Sequence, residues 1–275
     1  MTGPSLEYLP LASGEFPSIA VGYLLRGADK AWAASADRFL ASYKTHAAGC
    51  PHVPHVMLKG FSDEAELTSA ERRFRSEGFL THRLDDDGFD ITAYARWAQV
   101  IDGAYICLFN THSELLAGNW LRKFILNLLY NDASMVSATG SFESLRSLSS
   151  QFPPFPNIHL RSNGICLERT LFLDCTKNVK IIAKMDAFRF ESGPQSITQR
   201  ILKGGGRVAV VGKDGRAYSP RWWPFSQTFR QGTQTNLLVG DNVTRTYDEA
   251  SRNNKAFWAA RSWGLYLNED YPLKY

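Results

Sequence analysis

The chain has 275 residues, 44% of them hydrophobic and 21% charged, a globular balance with enough length to bury a substantial core. Its 31 Lys and Arg against 27 Asp and Glu leave a formal charge of +4, too thin a surplus over this length to predict nucleic-acid binding. No apolar run approaches the roughly 18–20 residues of a membrane helix, which excludes a transmembrane segment. The N-terminal stretch carries Pro4 and polar residues where a secretory leader is apolar. Cys50, Cys107, Cys166 and Cys175 lack metal-ligand or CxxC spacing, and Cys107 and Cys166 sit inside apolar runs as small hydrophobes. The expectation is a cytoplasmic protein without disulfides.

In chain order, Ile19 to Leu25 is a short apolar run that predicts a buried strand. Ala31 to Tyr43 carries Trp32, Phe39, Leu40 and Tyr43 at helical spacing. His55 to Leu58 predicts the second strand, and Ser62, followed by acidic residues, predicts the cap of a helix running through Phe74. Gly78 to Leu84 is a third strand. Asp90 or Thr92 then caps a helix through Val100, Ala104 to Phe109 is a fourth strand, and Trp120 to Leu129 is an amphipathic helix. Strands alternating with helices of about 10–15 residues predict an α/β domain: a mostly parallel central sheet with helices on both faces. Ligands of such sheets bind beyond the carboxyl ends of the strands. That points to Arg26 and Gly27, Lys59 to Asp63, and Asn110 to Glu114.

Beyond the Pro/aromatic segment Gln151 to Asn157 the expected elements are a strand at Gly164 to Leu167, a helix at Gln195 to Leu202 and a strand at Arg207 to Val211. A Gly/aromatic loop follows to Gly232, and Tyr247 to Leu265 ends in an amphipathic helix containing Trp258 and Trp263. Without a linker or repeat, one domain is expected. Aromatic residues make up 13% of the chain and gather late, at Tyr218, Trp222, Trp223, Phe225 and Phe229, as core rings or as a platform for sugar or base rings.

The order of these segments resembles a known family. The strand at Ile19 to Leu25, the strand ending at Ser62 and Asp63, and the apolar strand stopping at Phe109-Asn110-Thr111-His112 come first. Then follow the Gly118 to Leu121 helix start (GNWL), Met135 to Ser144 (MVSATGSFES), His159 to Leu173 and Phe190 to Val211. This pattern, over roughly residues 18–212, is similar to bacterial GT-A-fold glycosyltransferases of the family 2 type. The resemblance implies one GT-A-like domain, with a nucleotide-binding half over 18–130 and an acceptor-binding and catalytic half over 131–275. It implies transfer of a sugar from a nucleotide-diphosphate-sugar to a glycan, lipid-linked or protein acceptor.

By the same resemblance, Tyr23, Arg26, Asp63 and Asp90 meet the donor, joined by Asn110 and His112. Glu191 or Asp241 deprotonates the acceptor, and Trp222 and Trp223 hold it. The family's metal-binding Asp-x-Asp is here Asn110-Thr111-His112. Three outcomes follow: a divalent Mn²⁺ or Mg²⁺ held by His112 with Glu114 and Glu191, a metal-independent enzyme, or lost catalysis. Arg and Lys would neutralise diphosphate in the metal-independent case. From Arg200 to Arg245 eight cations stand against Asp214 and Asp241, with Arg230 and Arg245 in Gly/polar loops beside aromatics. The alternatives to an active transferase are an inactive GT-A-like glycan-binding or assembly domain and a sugar nucleotidyltransferase.

Overall fold

Apolar residues fill the first strand, β1 (Ile19–Arg26), which is buried through Leu25. The computed structural model describes residues 16–267, so the expectation drawn at Pro4 and the last residues of the 131–275 half lie outside the described residues. After β1 come α1 (Trp32–Thr45), β2 (Val53–Lys59), α2 (Glu64–Ser76), β3 (Leu80–Arg83), α3 (Phe89–Val100) and β4 (Tyr105–Phe109), each where the apolar pattern predicts it. Two helix starts differ. Asp63, not Ser62, caps α2, its carboxylate accepting the Ala65 N–H at 2.7 Å. Gly88 precedes α3 at φ 60, a left-handed value that favours glycine, so Asp90 and Thr92 fall inside the first turn.

The rest of the chain adds β5 (Glu114–Leu115), α4 (Trp120–Tyr130), β6 (Met135–Ser137), β7 (Gly140–Ser141), β8 (His159–Leu160) and β9 (Ile165–Glu168). Then come α5 (Arg169–Thr176), α6 (Lys184–Ser192), α7 (Ile197–Lys203), β10 (Val208–Val211), β11 (Ala217–Tyr218) and β12 (Val239–Gly240). The expected late helix with Trp258 and Trp263 is α9 (Arg252–Trp263), capped by Ser251, and a further short helix, α8 (Asn242–Glu249), precedes it.

Eight strands form one sheet in the order β11-β10-β6-β9-β4-β1-β2-β3. β9 runs antiparallel to both β4 and β6, β11 runs antiparallel to β10, and the other pairs are parallel. The chain steps from β1 through β2 to β3 on one side, then returns through α3 to β4 on the other side of β1. Right-handed crossovers then force α3 onto the opposite face from α1 and α2. The core confirms this. Phe39 and Leu40 of α1, Phe74 of α2 and Trp120 and Phe124 of α4 pack on one face. Tyr94 and Trp97 of α3, Phe172 of α5, Phe190 of α6 and Ile201 of α7 pack on the other. The described residues thus form a single α/β domain, and no helix among them is long and apolar enough to cross a membrane.

One buried pair gives this core a pH dependence. His55 of β2 and His82 of β3 lie with Nδ1 and Nε2 2.9 Å apart, and Trp97 meets the His55 ring edge-on at 5.3 Å. Burial lowers the His55 imidazole to about 4, with the His82 charge adding to the effect, and burial lowers His82 as well. An unfolded histidine takes its proton near pH 6.5. The stability from this pair is therefore complete above pH 6.5 and is lost as pH falls toward 4. Urea unfolding at pH 7 and pH 5 is expected to show the loss, and His55→Phe to flatten it; parallel losses in both proteins would contradict the assignment.

Candidate functional site

Between β1 and β4 the connections diverge, α1 leaving to one face and α3 arriving from the other, so the loops at their carboxyl ends splay into a crevice. Backbone contacts fix its floor. The Tyr23 hydroxyl donates to the Thr111 carbonyl at 2.8 Å, and the Arg26 N–H donates to Thr111 Oγ1 at 3.1 Å. Asn110 Oδ1 accepts from the His112 N–H at 3.0 Å and the Ser113 hydroxyl at 3.3 Å, an Asx-type closure of its own turn. The turn holds the His112 ring with Nδ1 3.3 Å from Ser35 Oγ and Nε2 3.7 Å from Asp29 Oδ2.

Charged groups from three loops meet above this floor. Arg26 grips Asp86 with Nε at 2.9 Å and Nη2 at 2.7 Å, and reaches Asp29 at 3.4 Å. The Arg26 bond holds the Asp86 carboxyl below the usual carboxylate range, against a smaller opposing effect of burial. Lys59, at the end of β2, is buried with its side chain 1% exposed. Its Nζ donates to the Asp87 and Phe89 carbonyls at 3.0 Å each and lies 3.3 Å from Asp86 Oδ1. One ammonium thereby ties the 85–89 loop to the end of β2, and the loop delivers Asp90 to the crevice.

Asp90 is the exceptional group. The residue is half-buried, and among the described residues its carboxylate has no hydrogen-bond or ion-pair partner. Burial pushes it up to about 6; Lys59 and Arg26 oppose this, and Asp29 and Glu191 reinforce it. Glu191, in the last turn of α6, reaches the same place from the opposite wall and accepts the Ser162 N–H at 3.0 Å. A carboxyl that changes charge near neutral pH beside two fixed cations is equipped for proton transfer.

A second charged group flanks this crevice. Arg245 of α8 donates to Glu114 Oε2 and to the His112 carbonyl, both at 3.2 Å. Arg161 and Arg230 both face the Phe229 ring, with guanidinium carbons 4.4 Å and 5.0 Å from its centroid. Arg230 bonds Glu143 at 3.0 Å, and burial lowers its pKa. Its loop holds Gln227, Arg230 and Gln234 at positive φ, a costly shape for non-glycine residues. The Gln231 and Gln234 side chains maintain it by accepting the Gln227 and Arg230 N–H groups at 2.7 Å and 2.9 Å.

The structure thus brings together Arg26, Asp90, His112 and Glu191, with Asn110 and Arg245 supporting the turn between them. Other expected site residues are engaged elsewhere. Tyr23 is fully buried beneath the crevice, stacked on Phe39 at 3.8 Å, so its ring cannot meet a nucleotide. Asp63 is a helix cap on the exposed start of α2. Asp241 is buried, caps α8 through the Thr244 N–H at 2.8 Å and pairs with Arg161 at 3.0 Å. Burial alone would raise its pKa, but Arg161 and Thr244 outweigh burial and hold the carboxyl low, leaving a saturated anion unsuited to accept a proton.

Trp223 is fully buried against Phe142 and Gly140, donating its indole N–H to the Tyr218 carbonyl, while Trp222 is 52% exposed. Both sit on a 3-10 segment, Pro220–Phe225, beside β10 and β11, on the far flank of the sheet from β1. Trp223→Ala is expected to cost about 3–5 kcal/mol in urea unfolding, and Trp222→Ala less than about 0.5 kcal/mol; equal costs would refute this division.

The eight late cations do not form one surface either. Arg200 donates to the Cys175 and Gln195 carbonyls, Lys203 donates to the Pro194 carbonyl, and Arg207 stands at the amino end of β10. His112 and Glu114 do not share a cation position: His112 faces Asp29, whereas Glu114 is held by Arg245 and Arg38. Among the described residues no three His, Cys, Asp or Glu side chains converge as a metal site. Asp29, Tyr94 and Arg161 are not among the residues the sequence singles out, whereas Lys59 opens the Lys59 to Asp63 loop expected at the strand ends. Its signal is a lysine placed directly after the apolar run Val56 to Leu58.

No model of a known protein family matches the chain, and no curated protein sequence matches it.

Proposed function

We propose that the chain is a nucleotide-sugar-dependent glycosyltransferase of GT-A type, with the donor seated over the carboxyl ends of β1 and β4. The observation that carries this reading is the half-buried, unpartnered Asp90 carboxylate near Arg26 and Lys59 at the point where the sheet's connections diverge. In the reaction the acceptor hydroxyl attacks the anomeric carbon and gives its proton to Asp90. The bond from that carbon to the diphosphate oxygen breaks, and the nucleoside diphosphate leaves with the electron pair. Arg26 and Arg245, on the two sides of the His112 turn, face the developing charge. Asp90 takes the base role expected of Glu191 or Asp241, and the Glu191 charge raises its proton affinity.

The donor set does not fit a divalent ion, because Asn110 spends its side-chain oxygen on its own turn and Glu114 is engaged by Arg245. The proposed chemistry therefore uses the chain's own cations. Asn110's self-closed turn also favours a second reading, an inactive nucleotide-sugar-binding domain.

Calorimetry with UDP, GDP and dTDP and their sugars, with Mn²⁺ or with EDTA, tests both. Binding in both conditions with acceptor-dependent release of nucleoside diphosphate is the expected result. Binding without release would favour the inactive domain, and no binding to any of them would overturn both readings.

A further inference from the structure

Three elements bring charged side chains together behind the turn that closes the crevice. Arg38 comes from α1, Glu114 from β5 and Arg245 from α8. Glu114 Oε2 lies 3.2 Å from Arg245 Nη1 and 3.9 Å from Arg38 Nε, so one carboxylate oxygen stands between two guanidinium groups. One positive charge of the three is left uncompensated. Burial lowers the Arg245 pKa and the Arg38 charge lowers it further, with Glu114 and Asp241 opposing. Asp241 is itself paired with Arg161. Among the described residues Arg38 makes no hydrogen bond, and its contact with Glu114 is longer than one.

The place is open to a ligand and joined to the crevice. The Arg38, Glu114 and Arg245 side chains are 39%, 30% and 27% exposed. Arg245 donates to the His112 carbonyl, and Ser35, one turn before Arg38 on α1, meets the His112 ring. Glu114 pairs with Gly240 of β12, and the neighbouring Leu115 N–H donates to Ser42 Oγ. The main chain is therefore fixed, and the Glu114 side chain alone turns away when a stronger anion arrives.

We propose that Glu114 occupies, in the free chain, the place of a phosphate of the donor's diphosphate, which displaces it to bind between Arg38 and Arg245. The inference rests on the glycosyltransferase reading and adds to its donor site Arg38 and a self-inhibiting carboxylate. A phosphate suits this place better than the carboxylate does. Two guanidinium forks on a single carboxylate oxygen leave N–H donors unused, and a phosphate offers them further oxygens and more charge. The ion pairs it breaks are half-exposed and therefore weak.

The test is calorimetry at low ionic strength with UDP, and with inorganic pyrophosphate as its competitor, on the wild-type chain, Glu114→Gln and Arg38→Gln. If GDP or dTDP binds in place of UDP, that nucleotide is used. Glu114→Gln is expected to bind UDP about threefold more tightly, because a half-exposed ion pair no longer has to be broken. Pyrophosphate is expected to compete more strongly in that variant by a similar factor. Arg38→Gln is expected to bind UDP about tenfold more weakly, the contribution of a hydrogen bond between charged groups. It probes the same place without touching Glu114, so a Glu114→Gln chain that fails to fold leaves the test in force. UDP binding that Glu114→Gln leaves unchanged or weakens, or that Arg38→Gln leaves unchanged, would overturn this inference and leave the glycosyltransferase reading standing. Absence of binding by any nucleotide would remove that reading, and this inference with it.

Discussion

Asp90→Asn is expected to lower transfer at least a hundredfold at pH 7.5 while making the protein more stable. The loss follows from removing the group that takes the acceptor proton, a role worth about 10²–10⁴-fold in general-base catalysis. The gain follows from linkage. Burial raises the Asp90 carboxyl to about 6 in the folded chain, against about 3.9 for an unperturbed aspartate. The folded state therefore holds its proton more tightly, and stability declines as pH rises through that window. At pH 7.5 the wild-type chain carries the whole cost, on the order of 2–3 kcal/mol, and asparagine removes it. At pH 4 the two proteins are expected to have nearly equal unfolding free energies. The wild-type rate should rise with pH up to about 6 and level off above it. A variant less stable than wild type at pH 7.5 would show that Asp90 has a strong partner in solution and is not a strained carboxylate held for chemistry.

The second large effect lies beneath it. Lys59→Met keeps the length of the buried stem but removes the ammonium that holds the Asp87 and Phe89 carbonyls and Asp86. Leaving those acceptors without their donor is expected to cost about 3–5 kcal/mol. Function changes as well. The Lys59 charge keeps the Asp90 carboxyl from rising further, so its loss shifts the midpoint of the pH–rate profile upward. Urea unfolding and a pH–rate profile read the two effects separately. A cost below about 0.5 kcal/mol, the range of an ordinary surface substitution, with no shift of the profile would mean that Lys59 does not position the Asp90 loop.

β1, β2 and β4 were legible because each holds a short apolar run, which survives folding unchanged, whereas β3 (LTHR) is largely polar and was placed by its position between α2 and α3. The reversal of β9 was not legible, since Ile165 to Glu168 reads the same in either direction and only its two neighbours set its sense. Nor were α5 and α6, which are short and have Glu168 and Ala183 rather than Ser, Thr or Asp at their N-cap positions, although Asp186 inside α6 accepts the Ile182 and Ala183 N–H groups. At the site, Arg26 and Asp90 were visible from their places at the ends of elements. Lys59 acts across 28 and 30 residues on the 85–89 loop, a contact that exists only because β2 and β3 are adjacent.

Asp241 and Asp63 show the converse difficulty. A carboxylate before a helix reads equally as a cap or as a catalytic group, and here both are caps. Trp222 and Trp223 are neighbours in sequence yet one is exposed and the other is core, a division set by the turn of the 3-10 segment against β10.

The central claim, a nucleotide-sugar site where the sheet's connections diverge, is tested most directly by amide hydrogen exchange with and without a saturating nucleoside diphosphate. Slowed exchange confined to Arg26–Asp29, Asp86–Asp90 and Thr111–Ser113 is the predicted result. Exchange unchanged in those three segments, or slowed only around Trp222 on the far flank, would contradict it.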